Sequence, residues 1–114
     1  MITADELRRR CLDMPGTTED FPFSPGLSVF RVGGKLFALA PLEDRPLRVS
    51  LKCEPELADA LRLAHESIRP GYHLNKRHWN TLTLDGSLPD RMVSDMIEDS
   101  YDLVVEGLPK SRRP

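Results

Sequence analysis

The chain reads as an α+β domain: a two-layer α/β arrangement with a mainly antiparallel sheet and helices on one face. Three observations predict it. Short segments with strand character alternate with segments of helical periodicity in the order helix, strands, helix, strands, helix. The strands are joined by hairpin-type turns rather than by long crossovers, which favours antiparallel pairing. The helical segments each carry one apolar stripe, as helices do when they cover a single sheet face.

Residues 3–13 form the first predicted helix. Thr3 caps it and Glu6 completes a capping box, while Leu7, Cys11 and Met14 recur at helical spacing. Pro15-Gly16 ends it. The segment TTEDFPF (17–23) is a first strand broken at Pro22, and SPG (24–26) is a turn. SVFRV (28–32) and KLFALA (35–40) flank Gly33-Gly34, a two-residue hairpin signal. With a two-residue turn, Val32 pairs with Lys35 and Phe30 with Phe37. LRVSLK (47–52) alternates apolar and polar residues as a half-buried strand does. Residues 55–66 form a second helix with Pro55 in its first turn and Leu57, Ala60, Leu61 and Ala64 on one face. Pro70-Gly71 is a turn, and HWNTLTL (78–84) is a strand. The third helix starts near Pro89, carries the stripe Val93, Met96, Ile97, Tyr101 and Val104, and is closed by Gly107 and Pro109.

With 114 residues the chain fits one domain, placed at 1–109, followed by a basic tail at 110–114. No apolar run reaches the roughly 20 residues that a membrane helix needs, so no membrane partner is expected. The charged N-terminus MITADELRRR does not read as a signal peptide, and Cys11 and Cys53 stand far apart, so a cytoplasmic location is expected. Net charge is −2, against the usual basic balance of nucleic-acid binders. Its distribution is uneven. Residues 90–106 hold six acids against Arg91, whereas residues 69–78 hold Arg69, Lys76, Arg77, His73 and His78 and no acid.

Strand parity divides the sheet into two faces. One holds Phe30, Val32, Phe37, Leu39, Leu47, Val49, Leu51, Leu82 and Leu84 and is assigned to the core under the helices, with Leu61, Met96 and Ile97. The other holds Val29, Arg31, Leu36, Ala38, Arg48, Ser50, Lys52, Trp79, Thr81 and Thr83. Its three cations and one large aromatic suit a phosphate-bearing, base-stacking ligand; they equally suit a solvated antiparallel sheet.

The stretch PGYHLNKRHWNTLTLDG (70–86), together with EDFPF (19–23), VFRVGGKLFAL (29–39), SLK (50–52), SYDLV (100–104) and LPK (108–110), resembles the MmcQ/YjbR family over nearly the whole chain and in the same order. That resemblance implies a CyaY-like or secretion-chaperone-like two-layer α/β fold and a DNA-binding role.

No GxSxG, HExxH or Walker pattern is present, and the chain is expected to be non-enzymatic. His73 and His78 stand at a spacing that matches no common zinc pattern, so neither a metal nor another cofactor is expected. Cys53 beside Lys52 reads as a packed thiol. The leading expectation is DNA held by backbone phosphate contacts from Arg31, Arg48, Lys52, Tyr72, His73, Asn75, Lys76, Arg77 and Trp79. Two other uses stay open: a protein-interaction module, or a small-ligand or enzymatic site lined by Tyr72, His73, His78 and Trp79.

Overall fold

A computed structural model describes residues 1–71 and 74–114. Tyr72 and His73, both among the expected ligand-binding residues, lie outside the described residues. The described residues form three α-helices, α1 (Ala4–Leu12), α2 (Pro55–Ala64) and α3 (Asp90–Glu106). Six strands complete the fold: β1 (Thr17–Asp20), β2 (Ser28–Val32), β3 (Lys35–Ala40), β4 (Leu47–Lys52), β5 (Ile68–Pro70) and β6 (Trp79–Leu84). They make one sheet in the order β1-β2-β3-β4-β6-β5, with every neighbouring pair antiparallel. The α+β architecture expected from the sequence is what the chain adopts.

All three helices contribute to a single core on one face of the sheet. Leu7 and Cys11 of α1 and Val93, Ile97, Tyr101 and Val104 of α3 meet Phe30, Val32, Phe37, Val49, Leu51, Leu82 and Leu84. Leu61 and Met96 pack against that cluster while only partly buried. The Cys11 thiol is so enclosed that burial, with Glu19 nearby, pushes its pKa up to about 12. Thr3 accepts the Glu6 N–H at 3.2 Å as the N-cap of α1, but its own hydroxyl, not its backbone N–H, donates to the Glu6 carboxylate.

The hairpin turn is built as expected. Gly33 and Gly34 have φ of 57° and 81°, the pair of positive values that a type I′ turn requires. Val32 pairs with Lys35 and Arg31 with Leu36. Beyond that point the expected register is corrected. A β-bulge between Phe30 and Arg31 pairs Phe30 with Ala38 and Val29 with Leu39, so Phe37 and Phe30 are not opposite each other. One extra residue in β3 reverses the parity beyond it. Phe37 and Ala38 both turn into the core, and Leu39, expected there, shares the opposite face with Val29.

The core explains the bulge. Phe37 meets Tyr101 edge to face, centroids 5.4 Å apart at 89°. The Phe37 carbonyl, at the irregularity in the ladder, accepts the hydroxyl of Ser100 at 2.6 Å. The same hydroxyl accepts the Lys52 N–H at 2.8 Å. Ser100 has no exposure, so one buried side chain of α3 satisfies a backbone acceptor of β3 and a backbone donor of β4.

Two further expectations change. The inward face of α2 carries Ala58, Leu61 and Arg62, while Leu57 and Leu63 are 47% and 90% exposed. The helix is rotated so that Arg62 reaches beneath the sheet edge. Residues 68–70, read as loop and turn, form the edge strand β5, where Pro70 stands at the strand end that tolerates a missing N–H. The basic residues Lys110–Arg112 form a 3-10 turn, and Arg113 donates to the carbonyls of Glu106 and Leu108 past the end of α3. That end lacks a basic residue in its last turn, and Gly107, with φ −80°, ends it in the right-handed region.

Phe37→Ala is expected to cost about 3–5 kcal/mol, because it removes a fully buried ring and leaves a cavity against Tyr101. Urea unfolding followed by circular dichroism measures it. A loss under ~1 kcal/mol would mean that the bulge collapses to refill the space.

Candidate functional site

The face of the sheet opposite the helices carries the candidate site. Register puts Arg31 opposite Leu36, Leu39 opposite Ser50, Ser50 opposite Thr81, Arg48 opposite Thr83 and Lys52 opposite Trp79. Arg31, Arg48 and Lys52 therefore do share the uncovered face, as parity expects.

That face is less basic than the strands alone imply. Arg31 Nε reaches the Asp20 carboxylate on β1 at 3.3 Å, and Arg48 Nη2 reaches that of Asp44 at 2.9 Å. Acids are thus supplied to it by a neighbouring strand and by the 41–46 loop. Trp79 is only 9% exposed, too enclosed to present a stacking surface. Gly71 explains part of this: a Cβ there would stand 2.7 Å from the Trp79 Cβ, and the Gly71 N–H donates to the Trp79 carbonyl at 2.8 Å.

Asn75, Lys76 and Arg77 lie exposed in the turn that enters β6. Their local bonds are those of a turn. The Asn75 side-chain oxygen accepts the Arg77 N–H at 3.0 Å, and Lys76 Nζ donates to the Gly71 carbonyl at 3.3 Å. His78 is partly buried.

The turn is held by a residue that the hydropathy pattern did not single out. Arg62 of α2 donates Nε to the Asn80 side-chain oxygen at 2.6 Å and Nη2 to the carbonyls of Trp79 (3.1 Å) and Lys76. Asp59, one turn back on α2, lies 3.5 Å from Nη1. The guanidinium fork is the group with enough donors in one plane to serve three acceptors together.

Between the cations the open face is apolar. A groove of about 490 Å³ is walled by Phe23, Leu27, Leu36, Leu39, Pro41 and Leu74. Arg48, Ser50 and Thr81 supply its polar part, with the Ser50 and Thr81 hydroxyls 2.7 Å apart. Neither His78 nor Trp79 lines it. Phe23 is 67% exposed at its rim. Leu39 was hidden by the parity reversal in β3; the signal available was that KLFALA holds five apolar residues in six and does not alternate.

Elsewhere the chemistry is sparse. Among the described residues no group of three or more His, Cys, Asp or Glu could hold a metal ion, and no helix is long and apolar enough to cross a membrane. Burial, then Asp99 and Glu54, raise the Cys53 thiol pKa, which disfavours a thiolate there. A second cleft, of about 520 Å³, opens beside β5 and β6. In it the Ser67 and Ser87 hydroxyls bond at 2.9 Å, and the Asp85 carboxylate, held below its ordinary range by Ser87, accepts the Ser87 N–H in a turn.

Comparison with known proteins places the fold in a family context. The YjbR family model matches residues 12–103. Protein YjbR of Escherichia coli K12 is 41% identical over 113 residues, covering 98% of this chain and 95% of its own. Protein YyaQ of Bacillus subtilis is 42% identical over 117 residues, covering 90% of this chain and 98% of its own. A crystal structure of a Deinococcus radiodurans protein with a DUF419 domain superposes with a TM-score of 0.92 at 44% identity, over 98% of this chain and 86% of that one. A Pseudomonas syringae protein superposes at 0.78 with 32% identity, over 90% and 98% of the two chains.

Arg62→Met is expected to cost roughly 1–3 kcal/mol, since it leaves the part-buried side-chain oxygen of Asn80 without this donor and takes from the Trp79 carbonyl one of its two donors. Arg62→Lys should recover little of it, because an ammonium lacks the planar fork. Urea unfolding gives the loss, and amide exchange at residues 76–80 should accelerate. Full recovery by lysine would show that charge alone matters. On α3, burial first and then Asp102 and Asp95 raise the Asp99 pKa, so its ionisation opposes folding from the ordinary carboxylate range upward, and fully once pH exceeds its folded-state value. Well below the ordinary carboxylate range both states are protonated and the penalty vanishes. Asp99→Asn should therefore raise Tm at neutral pH and leave it unchanged in acid; an equal rise at both would point to packing.

Proposed function

The chain belongs to the YjbR family, and on the strength of its groove we propose that it is a non-catalytic binding module that takes a small apolar ligand on the uncovered face of its sheet. One observation carries this reading: among the described residues, six apolar side chains wall a cleft of about 490 Å³ to which Arg48, Ser50 and Thr81 bring polar groups. Ligand sites have this composition, with apolar walls for affinity and a few polar atoms for orientation, and volumes of roughly 300–1,000 Å³. The sheet holds the walls on a rigid surface. Among the described residues no helix covers them. The described residues lining the groove include no histidine and no carboxylate, which supports binding rather than acid-base chemistry.

Magnitudes set the scale. Each buried methylene contributes about 0.8 kcal/mol, so six give roughly 5 kcal/mol before the cost of immobilising the ligand. Immobilising the ligand takes much of that back, so affinity from the walls alone is at best millimolar, where about −4 kcal/mol is needed.

DNA is the second reading, favoured by a different observation. Lys52, Arg69, Lys76 and Arg77 lie on the β4-β6-β5 side of the sheet, and the last three are exposed. Arg31 and Arg48 weigh less in it, since each already faces an acid. Phosphate contacts there would make binding weak, sequence-tolerant and salt-sensitive, with a slope of log affinity against log salt of about −2 to −4 for a few contacts.

A neutral apolar dye, Nile red, separates the readings. The protein should enhance its fluorescence, and Leu39→Asp, which puts a charge into the groove wall, should abolish the enhancement with far-ultraviolet circular dichroism unchanged. Equal enhancement by both proteins would remove the groove as the site. Titration of labelled duplex and single-stranded DNA at low and moderate salt tests the second reading. Loss of DNA binding in Lys76→Glu/Arg77→Glu, with dye binding retained, would assign the two ligands to different parts of the face.

A further inference from the structure

We infer that the groove is selective for an amphipathic monocarboxylate, a small acid with an apolar tail, whose carboxylate docks on Arg48. This deepens the binding-module reading and rests on it.

The polar groups of the groove are not scattered. Arg48 and Ser50 stand two residues apart on β4, on one face, and Thr81 of β6 is the cross-strand partner of Ser50. Together they make a small donor-bearing patch at the β4-β6 junction: one guanidinium and two hydroxyls that already bond each other at 2.7 Å. The apolar walls come from the other side, from β3 (Leu36, Leu39) and the segment before β2 (Phe23, Leu27). A ligand that satisfies both halves is apolar along most of its length and polar at one end.

Charge decides the sign of that end. Among the described residues the lining has one cation and no acid, so a group of single negative charge is complemented and a cation is not. Geometry favours a carboxylate among anions. A guanidinium offers parallel N–H groups spaced for the two oxygens of a planar carboxylate, whereas a phosphate dianion would leave one charge uncompensated.

The fold itself holds a carboxylate at this place. Asp44, in the loop before β4, sits 2.9 Å from Arg48 Nη2. Both side chains are about half exposed, at 42% and 53%, so the pair is solvent-screened and weak. Asp44 is thus an internal competitor. It keeps Arg48 oriented, and an incoming acid exchanges one carboxylate for another rather than desolvating a bare cation. Its removal should strengthen binding, the opposite of what loss of a structural contact would do.

Calorimetric titration with decanoate and with decanol, both below their aggregation limits, tests the inference. Decanoate should bind about tenfold more tightly than decanol, the factor that one charge-assisted hydrogen bond supplies. Arg48→Gln should remove that advantage and leave decanol unchanged. Asp44→Asn should tighten decanoate by about threefold, within what an exposed ion pair can withhold, and again leave decanol unchanged. Lys52→Gln, on the same face but outside the groove, should change neither ligand. Equal binding of decanoate and decanol, indifferent to Arg48→Gln, would overturn the carboxylate inference and keep the groove as an apolar site. Decanoate binding that falls equally in Lys52→Gln would overturn it in favour of general charge attraction. No binding of either ligand would overturn the groove reading and this one with it.

Discussion

A single hydroxyl holds the two layers of this protein in register. Ser100 lies within α3 with no exposure, donating to the Phe37 carbonyl of β3 and accepting the Lys52 N–H of β4. A buried carbonyl at a bulge and a buried N–H at a strand end would each cost on the order of 1–3 kcal/mol if left alone. The serine settles both and fixes where α3 sits across the sheet. Its neighbour Tyr101 then meets the Phe37 ring at its edge, and its phenol reaches back to the Pro15 carbonyl between α1 and β1. Two adjacent residues of one helix thereby tie two strands and the connection between α1 and β1 to a common core.

The opposite face follows from this arrangement. With the bulge set, Phe37 and Ala38 turn toward α3, and Leu36 and Leu39 are left on the open side. The groove is the back of the core: the residues that wall it are those that packing against α3 did not use. Arg62 acts at the other end of the sheet in a comparable way, by satisfying three oxygens of the turn that leads into β6. Buried polar contacts of few residues position both the strands and the segment beside them.

How much of this was legible in the sequence depended on whether the deciding interaction was local. Gly33-Gly34 named its own turn, because only paired positive φ angles suit a two-residue hairpin. The alternation in LRVSLK placed Arg48, Ser50 and Lys52 on the open face without help. Leu39 was misplaced because the parity count ran through a bulge whose cause lies in a helix more than 60 residues later in the chain, at Ser100. The inward face of α2 was misread for a related reason. Helical spacing of apolar residues sorts Leu57, Ala60 and Ala64 inward beside Leu61, yet all three are exposed, because that spacing cannot register the acceptors that draw Arg62 beneath the helix. Likewise the cations Arg31 and Arg48 were visible in their strands, but the acids that face them, Asp20 and Asp44, belong to other segments. The groove is therefore the part of the molecule least readable from one strand at a time.

The extra residue in β3 also bears on how relatives of unequal length should be aligned. Removing one residue at Ala38 would let Phe30 pair directly with Phe37 while Val29 still met Leu39. Phe37 would continue to face the helices and Leu39 the groove. A one-residue gap at this point in a family member thus marks a straightened strand, with the same side chains presented to either side, and not the loss of the site. A gap on the far side of the turn, between Phe30 and Val32, would shift the parity of β2 itself and exchange its inward and outward residues. Two deletions only a few positions apart in sequence would thus differ in outcome, one keeping the face of the hairpin's side chains and the other exchanging the two faces of β2.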